Sequence, residues 1–170
     1  MAIDKIQSES INLADNFAFS GTVTGAGGVN EVLFFAYKSS SDGQQSISGN
    51  SNTLITLPTE LYDTANAFTS NTFTVPSGKG GYYYLQGKMR DDFTSGQARF
   101  LMIYKNGSNY IQSREYSYST TRHYTHVSGV INLSAGDTIK LYCSHTDSSA
   151  RNIDGTNVLE TSLMGYKLNT

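Results

Sequence analysis

Short apolar runs recur along the chain from Glu31 onward, and turn-forming residues separate them. Runs of this length, rich in Val, Ile, Thr, Tyr and Phe and bounded by Gly, Asn, Asp, Ser or Pro, are typical of β-strands. The segment TELYDTANAFT (59–69) has only weak helical spacing, and we expect it to be irregular. The predicted strands are EVLFFAYK (31–38), TLITLP (53–58), SNTFTVP (70–76), GYYYLQGKMR (81–90), ARFLMIYK (98–105), NYIQSREY (109–116), HYTHVSGVINL (123–133), DTIKLYCSH (137–145) and VLETSLMGYKL (158–168).

Two of these runs, GYYYL and RFLMIY, are apolar on both faces of the strand. Successive side chains on a strand point to opposite sides, so a half-exposed strand should alternate between apolar and polar residues. Tyrosine suits a covered second face because it buries a ring and keeps a polar tip. We therefore predict that a neighbouring subunit covers this face; the alternative is an ordinary wet sheet surface. The candidate subunit contacts are Tyr82, Tyr83, Tyr84, Phe100, Met102 and Tyr104.

The turns between the strands favour an all-β fold. Asn106-Gly107 lies between two apolar runs and predicts a tight hairpin, since both positions tolerate positive φ. Gly136-Asp137 predicts another turn directly before a strand. About ten short strands without crossover helices indicate an antiparallel sandwich or jelly roll rather than a parallel sheet.

Residues 1–28 differ from the rest of the chain. They carry apolar pairs without a heptad pattern and end in a glycine-rich stretch at 25–28. The segment is too apolar for a pure linker and too short to bury itself, so we predict an anchoring arm with a glycine hinge. The alternative is a frayed terminus. Residues 29–170 would then form the head. The candidate anchor residues are Ile11, Leu13, Phe17 and Phe19.

The composition fits one β-rich domain and limits its partners. The chain has 170 residues, of which 38% are apolar and 15% charged, and this length supports a core without disulfides or a structural metal. The formal net charge of −2 argues against binding to nucleic acid or to anionic membranes. Cys143 is the only cysteine, and we expect a buried, inert thiol. The sequence shows no secretion signal and no membrane-spanning stretch, which predicts folding in a reducing cytoplasm.

The sequence gives little support for catalysis or for a transition metal. Asp91 and Asp92 are adjacent, so on a strand they face opposite ways, and we interpret them as solvated loop acids. His123 and His126 are three residues apart, which also puts them on opposite faces. His145 has no second ligand near it in sequence. We therefore predict that the protein is not an enzyme and holds no transition metal.

One polar segment, HTDSSARNIDGTN (145–157), leaves a calcium site open because it collects hard oxygen ligands. It does not fit the EF-hand motif, in which a calcium-binding loop joins two helices, since the residue six positions after Gly155 is Thr161 rather than glutamate. A plain polar loop is the favoured interpretation, because turns require Asp, Asn and Gly. The possible ligands are Asp147, Asn152, Asp154 and Asn157.

Four motifs follow one another in the order FTVPSGKGGYYYLQG, FLMIYKNGS, VSGVINLSAGDTIKLY and ETSLMGYKL. Their order and spacing resemble the globular head of complement component one-q, which belongs to the tumour-necrosis-factor-like jelly rolls. The resemblance covers about residues 31–169, with one departure: Leu163 and Met164 precede the last glycine where the family usually has phenylalanine. The matching residues are Phe73, Pro76, Gly81, Tyr82, Lys105, Asn106, Gly107, Leu133, Gly136, Asp137 and Gly165.

This resemblance implies a ten-stranded jelly roll that assembles as a compact homotrimer, and it leaves calcium as an optional cofactor because some relatives bind it near the trimer apex. Residues 1–28 also resemble leader segments on structural proteins of marine tailed phages. Together the two resemblances predict a phage virion protein, either a capsid decoration or a tail-fibre tip. It would fold in the host cytoplasm, attach through its arm to a capsid or tail protein, and stand on the virion surface. The alternative is a soluble complement-like lectin outside a virion.

A further group of aromatic and basic residues occupies even positions between 110 and 126. If the strands hold their phase, these residues share a face, although a turn around 117–121 would reset it. Tyr and Arg offer flat stacking surfaces and directional donors, which suit protein interfaces and glycans. We weigh a subunit or virion partner first, with a host-surface glycan and a solvated surface behind it at equal weight. The candidates are Arg114, Tyr116, Tyr118, Arg122, Tyr124 and His126.

Overall fold

Two antiparallel β-sheets enclose the core in the computed structural model, which describes residues 32–93, 96–116, 122–155 and 159–168. Within these ranges the regular elements are strands and one 3-10 turn at Ser40–Asp42, so the all-β prediction is confirmed. The strands outnumber the predicted ten because several are pieces of two or three residues. They are β1 (Leu33–Tyr37), β2 (Gln45–Ile47), β3 (Thr53–Leu54), β4 (Thr59–Asp63), β5 (Phe68–Thr69), β6 (Thr72–Thr74), β7 (Gly81–Asp91), β8 (Ala98–Lys105), β9 (Ser108–Tyr116), β10 (His123–Leu133), β11 (Thr138–His145), β12 (Arg151–Ile153) and β13 (Ser162–Lys167).

The strand order gives the sandwich a jelly-roll topology. The first sheet runs β2-β12-β7-β13-β1-β4, and β10 pairs with β7. The second sheet runs β5-β6-β11-β8-β9, and β3 pairs with β11. Neighbours such as β1 and β13 come from opposite ends of the described chain and pair antiparallel throughout. Each sheet thus has one face toward the core and one face outward.

The core forms where inward side chains of the two sheets interdigitate. Phe34 of the first sheet stacks on Phe73 of the second, with ring centroids 4.2 Å apart, and both are fully buried. Burial of one such side chain contributes roughly 2–3 kcal/mol. Leu85 and Gly165 extend this cluster: a Cβ added at Gly165 would lie 2.5 Å from Leu85 Cδ2 and 2.7 Å from Phe34 Cε1. Glycine at this position therefore lets the last strand pass close to the packed rings.

The predicted hairpin between β8 and β9 is confirmed. Asn106 has φ 50° and Gly107 has φ 80°, which are the left-handed values that a two-residue hairpin turn requires. Asn106 Nδ2 donates to Asp137 Oδ1 at 2.7 Å, and Lys105 Nζ lies 2.9 Å from Asp137 Oδ2. The hairpin is thus fastened to the turn that precedes β11, where Gly136 has φ 87°.

The expectation of irregular structure over 59–69 is wrong at both ends of the segment: 59–63 form β4 at the edge of the first sheet, and Phe68–Thr69 form β5. β4 pairs with β1, so that Tyr62 lies opposite Phe35. The Asp63 carboxylate accepts the backbone N–H of Phe68 at 2.7 Å, which closes the turn that follows the strand. Pairing with β1 decides this structure, and such tertiary pairing outweighs weak local propensity.

Candidate binding surfaces

The outer face of the first sheet carries large apolar side chains on five strands. β1 shows why: in LFFAY, Phe34 and Ala36 point into the core and are fully buried, so their neighbours in sequence point outward. The same alternation places Tyr83 and Leu85 of β7 in the core. We call the outward group the aromatic face; its members are Leu33, Phe35, Tyr37, Tyr62, Tyr82, Tyr84, Val130, Met164 and Tyr166.

Ring contacts hold the aromatic face in a fixed shape. Phe35 meets Tyr62 edge-on with centroids 5.8 Å apart, and Tyr84 lies 5.4 Å from Tyr166 on the neighbouring strand. Val130, opposite Tyr84, is 57% exposed, and Tyr82 is 48% exposed. Aromatic pairs in these geometries contribute about 0.5–1.5 kcal/mol beyond their buried area. The face is therefore ordered in the single chain while much of its apolar surface meets solvent.

An ion-pair network borders the aromatic face where β7 ends and β10 begins. Arg90 Nη1 lies 3.3 Å from Glu160 Oε2 and 3.8 Å from Asp154 Oδ2. The Tyr124 hydroxyl donates to Glu160 Oε1 at 2.7 Å, and this hydrogen bond raises the pKa of Tyr124. Arg122 Nε lies 3.6 Å from Asp154 Oδ2. The sheet surface thus changes from aromatic to charged along its strands.

The outer face of the second sheet carries a different group, the tyrosine–arginine face, whose members are Phe100, Tyr104, Arg114, Tyr116, Lys140 and Tyr142. Tyr104 and Tyr142 stack with centroids 4.1 Å apart. The Arg114 guanidinium carbon lies 5.3 Å from the Phe100 ring centre and 4.9 Å from that of Tyr116. Arg114 Nη2 also donates to the Tyr116 hydroxyl. Cation–π contacts of this kind favour a fixed guanidinium position.

The six predicted subunit contacts do not share one surface. Tyr82 and Tyr84 belong to the aromatic face, whereas Tyr83 lies in the core and donates its hydroxyl to the Lys79 carbonyl at 2.6 Å. Burial raises the pKa of Tyr83 to about 12. The other three candidates, which point outward from β8 in the second sheet, are Phe100, Met102 and Tyr104. Met102 is itself buried there, so it offers no surface to a partner.

Sequence reasoning missed most of the aromatic face, including Phe35, Tyr37 and Tyr62. Every residue of LFFAY is apolar or aromatic, the same signal that singled out GYYYL, so β1 could have been chosen on that ground. Tyr62 could not have been, because 59–69 was expected to be irregular. Tyr166, which pairs with both Tyr84 and Leu33, depends on strand order and not on a local pattern.

The even-numbered candidates separate onto the two sheets. Arg114 and Tyr116 point outward from β9 in the second sheet, while Tyr124 and His126 point outward from β10 in the first. The group is therefore divided between the outer faces of the two sheets. Arg122 is exposed beside the ion-pair network. Other predicted residues lie outside the described part of the chain, namely Tyr118, Asn157, Ile11, Leu13, Phe17 and Phe19.

Asp91 is not a solvated loop acid, which corrects one expectation. It ends β7 fully buried, its Oδ1 lies 3.4 Å from Arg99 Nη1, and it accepts the Phe93 N–H at 3.0 Å. Burial raises the pKa of Asp91 to about 6 although Arg99 acts in the opposite direction. Burial also lowers the pKa of His123. The charge of Arg99 lowers this pKa further, and the charge of Glu115 raises it. The charged groups of four strands thus meet at one end of the core.

No group of three or more His, Cys, Asp or Glu side chains in the described residues is arranged to hold a metal. The Asp147 carboxylate accepts a hydrogen bond from Arg151 Nε at 2.7 Å, and the Asp154 carboxylate lies within 4 Å of Arg90 and Arg122. Each of these two carboxylates is therefore paired with an arginine. Cys143 is buried, and desolvation raises the pKa of its thiol. None of the described helical structure has the length or hydropathy to span a membrane.

Comparisons with known proteins establish the fold. No family model matches the sequence, and no curated protein matches it. Among solved structures, the globular domain of zebrafish complement 1qA shares 12% identity and a TM-score of 0.60, covering 81% of this chain and 98% of that domain. The PRD1 vertex protein P5 shares 18% identity and a TM-score of 0.61, covering 84% of this chain and 100% of that one. The chain has the jelly-roll fold of these proteins. Eiger TNF from S. frugiperda shares it too, at 14% identity and a TM-score of 0.54, covering 81% of this chain and 92% of that one.

Proposed function

We propose that this chain is the homotrimeric head of a phage virion protein and that the aromatic face forms its subunit contacts. The observation that carries the proposal is the outward aromatic surface spread over β1, β4, β7, β10 and β13. Single exposed apolar residues are common on soluble proteins, whereas a contiguous patch marks an interaction site. The trimer expected from the sequence resemblance supplies an occupant for that patch, namely a second and a third copy of the chain.

The composition of the aromatic face matches that of a protein interface. Interface centres are enriched in Tyr, Phe and Met and depleted of charge, and their rims are polar. Here the rings and Met164 are grouped together, and the charged network of Arg90, Asp154 and Glu160 borders them. Because Phe35 and Tyr62 already contact each other, association would cost little side-chain ordering. This pre-organisation favours subunit packing over a transient contact.

The virion assignment rests on likeness to the PRD1 vertex protein P5 together with the phage-like sequence of residues 1–28. In this proposal the arm anchors the head to a capsid or tail protein, and the head, folded in host cytoplasm, stands on the virion surface as a decoration or a fibre tip. A second candidate is a binding module outside any virion, which the likeness to the complement 1qA domain favours.

Density-gradient purification of virus particles from infected cells separates the two candidates. The virion assignment predicts that the full chain bands with intact particles and that a chain lacking residues 1–28 stays in the soluble fraction. A full chain found only in the soluble fraction would support the free binding module instead. Equal incorporation of both chains would contradict the anchoring role of the arm.

A further inference from the structure

The tyrosine–arginine face lies on the sheet opposite to the proposed subunit contacts, so a trimer built through the aromatic face leaves it outward. β9 is the last strand of the second sheet, and Tyr116 on it is 49% exposed. We propose that this face binds an acidic polysaccharide, a polymer whose sugar units carry carboxylates. The site is separate from the trimer interface, and a trimer would only multiply its strength through avidity.

Charge on this face is of one sign. Arg114 and Lys140 are the charged residues at the outward positions of β8, β9 and β11, three strands that the structure describes in full. The nearby carboxylates are directed elsewhere: Glu115 points inward and pairs in register with the buried Arg99, and Asp137 is held by Lys105 at 2.9 Å. In a chain of net charge −2, two cations that no carboxylate of the described strands faces favour an anionic ligand.

The Arg114 side chain is prepared for a carboxylate. Its guanidinium carbon lies 5.3 Å from the Phe100 ring centre and 4.9 Å from that of Tyr116, and one donor goes to the Tyr116 hydroxyl. A guanidinium has five N–H donors in a planar fork, so the exposed side chain keeps donors for a bidentate contact. Because packing fixes the group before any ligand arrives, little rotamer entropy remains to be lost on binding.

The rings around Arg114 suit a sugar better than the other anionic partners. A pyranose ring has apolar C–H faces that pack on tyrosine, and its hydroxyls need polar partners; Gln112 is exposed on the same strand, and the Asn52 side chain donates to the Tyr104 hydroxyl at 2.9 Å. Nucleic acid needs a denser cluster of cations than Arg114 and Lys140 provide. Tyr104 and Tyr142 are already packed on each other, which is unfavourable for their insertion into lipid.

Binding of the full-length protein to immobilised polygalacturonate tests this proposal, with neutral dextran and poly-L-glutamate as parallel surfaces. We expect saturable binding to polygalacturonate that weakens with salt, none to dextran, and binding to polyglutamate at least about tenfold weaker, because charge alone does not reproduce the stacking contacts. Equal binding to polyglutamate, or no binding to polygalacturonate, would overturn the proposal.

Matched arginine variants locate the site. Arg114→Ala should weaken binding by about tenfold or more, the usual cost of losing a charge-assisted hydrogen bond. Arg122→Ala removes the same charge from a side chain 64% exposed near the first sheet, and it should bind like the wild type. Arg114→Lys keeps the charge without the planar fork and should lose affinity several-fold, so it serves if Arg114→Ala misfolds. Equal losses for the Arg122 and Arg114 variants would refute this site.

Light scattering on the same samples reports the oligomeric state, so failure of the trimer and failure of this site are distinguishable.

Discussion

Val130 offers the sharpest test of the aromatic face, because its substitution should break the trimer and leave the fold intact. It lies on β10 opposite Tyr84, points away from the core and is 57% exposed in the single chain. Val130→Asp therefore removes no core packing. An exposed Val-to-Asp change on a strand costs at most about 1 kcal/mol in β-propensity. In the proposed trimer the same position would be covered by a neighbouring copy.

The expected loss of assembly is large. Full burial of a valine side chain contributes roughly 1.5–2 kcal/mol, so covering the 57% that is exposed gives about 1 kcal/mol per subunit. Three subunits give about 3 kcal/mol, or roughly a hundredfold in the assembly constant. Aspartate loses this burial free energy, and the trimer would have to bury three carboxylates whose desolvation costs several kcal/mol each. We therefore expect no trimer at micromolar concentration.

Size-exclusion chromatography with light scattering across a dilution series measures this effect, and circular dichroism checks the fold. Thr74→Asp is the matched control, because it adds the same charge at an exposed outward position of β6 in the second sheet. It should assemble like the wild type. A Val130→Asp protein that keeps the wild-type mass down to low micromolar concentration would refute the assignment of the interface to this face.

Three further predictions concern stability. Phe34→Ala should lower the free energy of unfolding by about 3–5 kcal/mol in urea titrations, since it removes a buried ring stacked on Phe73; a loss below about 1 kcal/mol would contradict the packing described. Gly107→Ala should cost about 1–2 kcal/mol from its φ of 80° alone, because an added Cβ meets no atom within 4 Å; a neutral change would argue against the hairpin geometry. Asp91 has a pKa of about 6 when folded and 3.8 as its ordinary value. The folded state therefore binds the proton more tightly, and this contribution is fully present below about pH 4 and lost as the pH rises through 6. Relative to Asp91→Asn, the wild type should gain about 2 kcal/mol of stability between pH 8 and pH 4; parallel pH profiles would contradict the buried carboxylate.

The elements that sequence predicts well in this protein are those set by local rules. The hairpin at Asn106-Gly107 follows from which residues tolerate positive φ, and the apolar character of both faces of strand 81–85 follows from its lack of alternation. Tyr83, expected at a subunit contact, instead faces the core. β4 could not be predicted because it forms by pairing with β1, which no pattern in its own residues indicates.

The candidate surfaces were predicted less well because alternation says that a side chain points outward but not from which sheet. Tyr82 and Phe100 carry the same local signal, yet β7 and β8 belong to different sheets, so one residue lies on the aromatic face and the other on the tyrosine–arginine face. The buried pair of Asp91 and Arg99 is a further case. Its partners lie on separate strands, and burial of a charge is decided by the three-dimensional neighbours that pair with it.

The solution mass of the full chain tests the central claim most directly. One chain has a mass of 18.5 kDa, and a trimer held by the aromatic face would give about 55 kDa by light scattering at all concentrations above its dissociation constant. That mass, lost on Val130→Asp and kept on Thr74→Asp, is the result we predict. A wild-type mass of 18.5 kDa throughout would mean that the aromatic face meets water or a different protein, and it would contradict the proposed homotrimer.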